Sequence, residues 1–166
     1  MKLSISRIVL DHYKTFYDYR TKKTSINDYI VQVALPIIMG VGVGFFLKVN
    51  IDDGFANIII TSLSIFAGLL LNLLILIYTV SRSTKDDEVK AKLFLELIAN
   101  ISYGILVAII MLGLVILIRI AEELGKQDIN WATCVEYFGI VLWILLGQFV
   151  LTLFMILKRV YVVLKS

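Results

Sequence analysis

Four long apolar runs, at residues 29–47, 58–80, 98–118 and 137–157, carry no Lys, Arg, Asp or Glu. Each is about 19–23 residues long, the length an α-helix needs to cross a hydrocarbon core of about 30 Å. A chain that is 60% hydrophobic and 17% charged, with mean hydropathy +0.92, has too little polar surface to cover such helices in water. The expectation is an all-α membrane protein, a four-transmembrane-helix bundle, forming a single domain over residues 1–166.

Charge placement predicts the orientation. Lys2, Arg7, Lys14, Arg20, Lys22 and Lys23 precede the first run. Arg82, Lys85, Lys90 and Lys92 lie between the second and third, and Lys158, Arg159 and Lys165 follow the fourth. Only Lys48, Arg119 and Lys126 fall on the other side. Thirteen against three places both termini and the second loop in the cytoplasm. With acids included, the inner side nets +6 and the outer side −3. Such an inner face suits anionic lipid headgroups or a cytosolic protein, with Arg7, Lys14, Arg20, Lys22, Lys23, Lys90 and Lys92 as the contact candidates. Direct nucleic-acid binding is disfavoured, because acids are interspersed among the bases. The first run is too long for the core of a cleavable signal peptide, so it is read as a span.

Before the first span, Ile5, Ile8, Val9, Tyr13, Phe16 and Tyr17 recur at helical spacing, opposite Arg7, Asp11, Lys14 and Asp18. This predicts an N-terminal cytoplasmic amphipathic helix within residues 1–28, lying on the leaflet or docked on protein. Its single His12 reads as an interfacial ring. Ser25 and Asp28 resemble the cap of the first span. Pro36, the chain's only proline, predicts a kink there.

Asn50, Asp52, Asp53 and Gly54 predict a tight turn within an outer loop at 48–57. Residues 85–118 contain no helix breaker, so they read as one helix of about 34 residues, about 50 Å long, projecting beyond the bilayer. A second outer loop at 119–136 carries the interfacial anchor Trp131. The acids Asp52, Asp53, Glu122 and Glu123 read as solvated loop surface.

Enzyme signatures are missing. There is no phosphate-binding glycine loop, no nucleophile–base set, and no metal-ligand spacing around Cys134 or His12. The reading is therefore not an enzyme and without a cofactor or metal. Spans free of ionisable groups also argue against proton-coupled drug export, which uses an intramembrane carboxylate.

Neutral polar groups remain. Asn72 and Gln148 each lie ten residues before a cytoplasmic basic residue, so they are expected at matched depth, with Thr152 one turn below Gln148. They are candidates for interhelix hydrogen bonds, a subunit contact or a pore lining. Asn100 and Ser102 read as simple interfacial residues. Gly40, Gly44 and Gly68 are candidate close-packing sites between helices.

The segments Ser64-Ile65-Phe66-Ala67-Gly68-Leu69-Leu70-Leu71-Asn72-Leu73-Leu74, Asn100-Ile101-Ser102-Tyr103-Gly104 and Leu157-Lys158-Arg159-Val160-Tyr161 sit in a layout that resembles the small four-span membrane proteins of bacterial anti-phage defence loci, the membrane component of Kiwa among them. The resemblance is one of layout and transfers no functional residue. It implies a homo-oligomeric, multi-pass inner-membrane protein that works with a cytosolic partner as sensor or effector. An ion-conducting pore and an immunity or superinfection-exclusion protein are the alternatives.

Overall fold

Uninterrupted apolar sequence between polar breaks gives helices, and the computed structural model of the chain is almost wholly helical. It describes residues 5–15, 17–18, 23–24, 26–46, 53–83, 88–124 and 129–165, with side chains over 5–15, 30–44, 53–81, 90–123 and 137–163. Helix α1 is Ile5–Lys14, α2 is Ile26–Val41, α3 is Asp53–Ser83, α4 is Glu88–Leu124 and α5 is Ile129–Lys165. Between α1 and α2, Tyr17–Asp18 (β1) and Lys23–Thr24 (β2) pair antiparallel, Tyr17 opposite Thr24. α2 runs directly into a π-helical turn, Gly42–Phe46.

Three segments are long and apolar enough to cross a membrane: Asp53–Ser81, Lys90–Glu123 and Tyr137–Val163. The apolar part described in α2, Ile30–Gly44, is shorter. α4 and α5 exceed the expected third and fourth spans in part because 119–124 and 129–136, expected as loop, continue them. Trp131 thus lies on α5, and Glu122 and Glu123 lie on α4. Asp53 opens α3, where an acidic side chain suits the helix N-terminus; Asn50 and Asp52 lie outside the described residues.

α4 is the hub, packing on α3, α5 and α1. Phe94, Leu97, Ile101, Ala108, Met111, Val115 and Ile118 are all buried, and Gly104 continues the row. Their alternating spacing of three and four residues is the heptad seam of knobs-into-holes packing. Leu63, Leu70 and Ile77 on α3 and Leu142, Phe149 and Ile156 on α5 repeat every seven residues and supply the facing surfaces. Aromatic pairs join α3 to α5: Phe55 stacks on Trp143 at 5.3 Å, and Phe66 meets Phe149 edge-on at 6.0 Å.

α2 packs on α5 instead, antiparallel to it. A Cβ on Gly40 would lie 2.6 Å from the Ile144 backbone nitrogen, and one on Gly44 would lie 3.2 Å from Ile140 Cα. Gly147 reciprocates, with Pro36 Cα 3.2 Å from where its Cβ would be. The Gly40/Gly44 element is therefore consumed within the chain. Gly68 differs, since nothing lies within 4 Å of its Cβ position.

Helix α1 ends at Lys14 and docks on α4. Ile8 and Val9 pack against the core, while Arg7 and Lys14 stay exposed and pair with Asp11.

A buried polar ladder as candidate functional site

α1 and the turn that follows it bring two polar side chains to the bundle, one of which, His12, was expected at a wet interface. His12 is fully buried, and Thr15 is 9% exposed. His12 follows Ile8 by one turn of α1, so the helix carries it inward with that face, and Thr15 lies in the turn just past the helix end. They meet Asn100 of α4, which is also fully buried. The expectation that His12 and Asn100 are interfacial surface groups is corrected: helix packing closes over both.

His12 Nδ1 lies 2.8 Å from Asn100 Oδ1. A carboxamide oxygen only accepts, so Nδ1 carries the proton and neutral His12 is the Nδ1–H tautomer. Thr15 turns the chain at the end of α1. Its hydroxyl donates to the His12 carbonyl at 2.6 Å and reaches Asn100 Oδ1 at 3.2 Å. The imidazole stacks on Tyr103 of α4, with centroids 3.8 Å apart and planes 9° from parallel. Tyr13 closes the group edge-on to His12 at 5.3 Å and to Tyr103 at 6.3 Å.

Arg159 of α5 locks this arrangement from the other side. Its Nη2 donates to the Thr15 carbonyl at 2.7 Å, and its Nη1 to Glu96 Oε2 at 2.7 Å. The first bond places a guanidinium at the C-terminal end of α1, where unsatisfied carbonyls carry partial negative charge. The second neutralises the cation in a site where the two side chains are only 17% and 23% exposed. Desolvation is the main reason that His12 is pushed down to about 4, with the Arg159 charge acting in the same direction against the Asn100 hydrogen bond.

From Tyr103 the polar contacts continue deeper among the helices. Gln148 Nε2 donates to the Tyr103 hydroxyl at 3.2 Å. Thr152 donates to the Gln148 carbonyl at 2.8 Å and receives Gln32 Nε2 of α2 at 3.4 Å. Gln32, Gln148 and Thr152 are all buried. The rungs therefore touch every large helix except α3, joining α1 to α2 through α4 and α5.

Gln148 and Thr152 do form one stripe, as their spacing suggests, but it is buried inside the chain. Asn72 is not on it: it is exposed on the far side of α3. The structure does not bring Asn72 and Gln148 together, so the anticipated matched pair of amides is replaced by Gln148 with Tyr103. Lys90 and Lys92 are half-buried on the first turns of α4, and each has an interaction partner. Lys23 sits in β2, whereas Arg20 and Lys22 lie outside the described residues. At the opposite end, Arg119 pairs with both Asp53 and Glu122, so two of the four acids expected to be solvated surface have a cation partner.

Sequence reasoning singled out Gln148 and Thr152 but missed His12, Thr15, Gln32, Glu96, Asn100, Tyr103 and Arg159 as one cluster. A signal existed. His12 occupies an apolar position of an amphipathic helix, and Glu96, Asn100 and Tyr103 share one face of α4 at i, i+4 and i+7.

Compared with family models, with curated proteins and with solved structures, the chain matches none.

Proposed function

We propose that the chain is a non-enzymatic sensor arm of the bacterial inner membrane, inserted with four crossings and both termini in the cytosol. In this reading α1 receives the signal, from a cytosolic protein or from the leaflet surface. The ladder passes the state of α1 to α2, and the protein works as a homo-oligomer in anti-phage defence.

The observation that carries the reading is the complete burial of His12. An aliphatic side chain there would hold α1 at lower desolvation cost. A histidine bonded to a buried amide makes docking of α1 conditional on satisfied polar geometry, which a two-state element requires. α2 is a suitable responder, since Pro36 removes a backbone hydrogen bond and the π turn follows. The inner placement of the α1 end follows the thirteen-to-three bias of basic residues. The defence setting rests on the layout resemblance. A pore lined jointly by Asn72 and Gln148 draws no support, because the two face different surroundings.

Phage challenge of cells carrying the gene in its native locus tests the reading. Wild type and the exposed control Asn57→Ala are expected to protect, and His12→Ala and Asn100→Leu to lose protection while still inserting. Equal protection by all four, or none by wild type, sinks it.

A further inference from the structure

Four carboxamides away from helix ends are described in the apolar helices, and the structure treats three of them alike. Gln32 and Gln148 are buried and donate hydrogen bonds to Thr152 and Tyr103, and Asn100 is buried against His12 and Thr15. Two hydroxyls on the outer surface of α3 also find partners: Ser64 donates to the Ile60 carbonyl and Thr79 to the Ile75 carbonyl, each at 2.8 Å. Asn72 breaks this pattern. It is exposed on α3 and makes no hydrogen bond among the described residues.

Its position makes this costly. Asn72 lies nineteen residues from Asp53 and nine from Ser81, the limits of the crossing segment. It therefore sits within the hydrocarbon, roughly 13 Å from the Ser81 end. No water reaches it there, and an amide with no partner in hydrocarbon costs several kcal/mol. The side chain is too short to reach either headgroup region.

The surroundings of Asn72 select the partner. At 100° per residue, Thr61, Ser64, Ile65, Gly68, Asn72, Ile75 and Thr79 fall on one stripe, and all are exposed. The opposite stripe, Ile59, Leu63, Leu70 and Ile77, is the one buried against α4. Gly68, one turn from Asn72, has open space where a side chain would be, so a second helix can approach the backbone there. The other small-residue element, Gly40/Gly44, is already filled by Ile144 and Ile140.

We infer that α3 is the interface between two copies of this chain, closed by a symmetric Asn72–Asn72 amide pair in the membrane. The inference deepens the oligomeric part of the proposed function and rests on it. All copies insert with the same orientation, so the two-fold axis is normal to the bilayer and α3 meets its copy in parallel. Asn72 then faces Asn72 at equal depth. A carboxamide has both donors and an acceptor, so one N–H of each side chain bonds the other's C=O, and both nitrogens and both oxygens are engaged. Another protein would have to bring an amide to the same depth on a small-residue face. A second copy does so by symmetry.

Cysteine cross-linking of the full chain in native membranes tests this, in a Cys134→Ser background that removes the only cysteine. Ile65→Cys and Ile75→Cys leave Asn72 intact and flank it on the stripe. Ile109→Cys on α4 and Phe154→Cys on α5 are exposed controls. Homodimer adducts are expected at Ile65 and Ile75 and not at the controls. In resonance-energy-transfer titrations in lipid vesicles, Asn72→Leu should weaken self-association about 3- to 30-fold. Gly68→Ile should weaken it as well without unfolding the chain, and Asn72→Gln should retain it.

Adducts at the controls alone, adducts with a different protein at Ile65 and Ile75, or an unchanged affinity for Asn72→Leu would each overturn the interface. If Asn72→Leu dissociates the dimer while phage protection persists, the interface stands and the oligomeric reading of function falls.

Discussion

His12 behaves unlike a surface histidine because its neighbours exclude water from the ring. With α1 undocked, the imidazole titrates near its ordinary 6.5; docked, it is pushed down to about 4. Between those values the undocked state binds more protons, so docking weakens as pH falls through 6.5 toward 4 and is level above 6.5. The facing groups Arg159, Glu96, Asn100, Tyr13 and Tyr103 include one cation, which opposes protonation, and one carboxylate that is already engaged by it. Hydrogen exchange of α1 amides in detergent is expected to accelerate about tenfold per pH unit across that window, beyond the intrinsic pH effect. His12→Phe keeps the stack on Tyr103 and should remove this excess pH dependence. A wild-type profile that matches His12→Phe refutes the assignment. Arg159→Gln deletes the cap on α1 and leaves Glu96 half-buried without its cation, so it should release α1 at every pH.

For the elements, glycine position decides the outcome. Gly40→Ala drives a methyl group into the Ile144 backbone, which α5 cannot move without losing its own helix. A destabilisation of about 1–3 kcal/mol is expected, read as a lower unfolding temperature of the purified protein. Gly68→Ala adds a methyl to open space and should leave that temperature unchanged or slightly raised, since alanine is the better helix former. Equal loss in both variants would contradict the packing of α2 on α5. The two glycines are indistinguishable in the sequence, where each is a small residue in an apolar run. Only the neighbour each one meets separates them. The existence of long helices, by contrast, was legible from run length alone. Their ends were not: Arg119, Glu122 and Glu123 read as loop because they are charged, yet they extend α4, and Arg119 pairs there with Asp53 and Glu122.

At the scale of the molecule, the charge asymmetry predicts topology. Reporter fusions after residues 84 and 165 should report cytosol, and those after residues 50 and 127 the far side of the membrane. A fusion at 50 that reports cytosol would leave three crossings and place α2 as a helix that packs on α5 without traversing the bilayer. The heptad-like burial along α4 was also present in the chain, at Leu97, Ile101, Ala108, Met111, Val115 and Ile118. It could not be read, because apolar residues fill the intervening positions too and give the face no contrast.

The sequence by itself determined that this chain is helical and apolar over membrane-length segments, since both are properties of composition along a line. Which polar groups are hidden was a matter for tertiary structure alone. His12 and Asn100 are 88 residues apart and meet only because α1 folds back on α4, while Asn72, matched in depth to Gln148, is turned outward by the packing of α3. Depth follows from counting residues at a fixed rise. Direction depends on which face each helix gives to its neighbours, and several faces of these helices were apolar enough to serve.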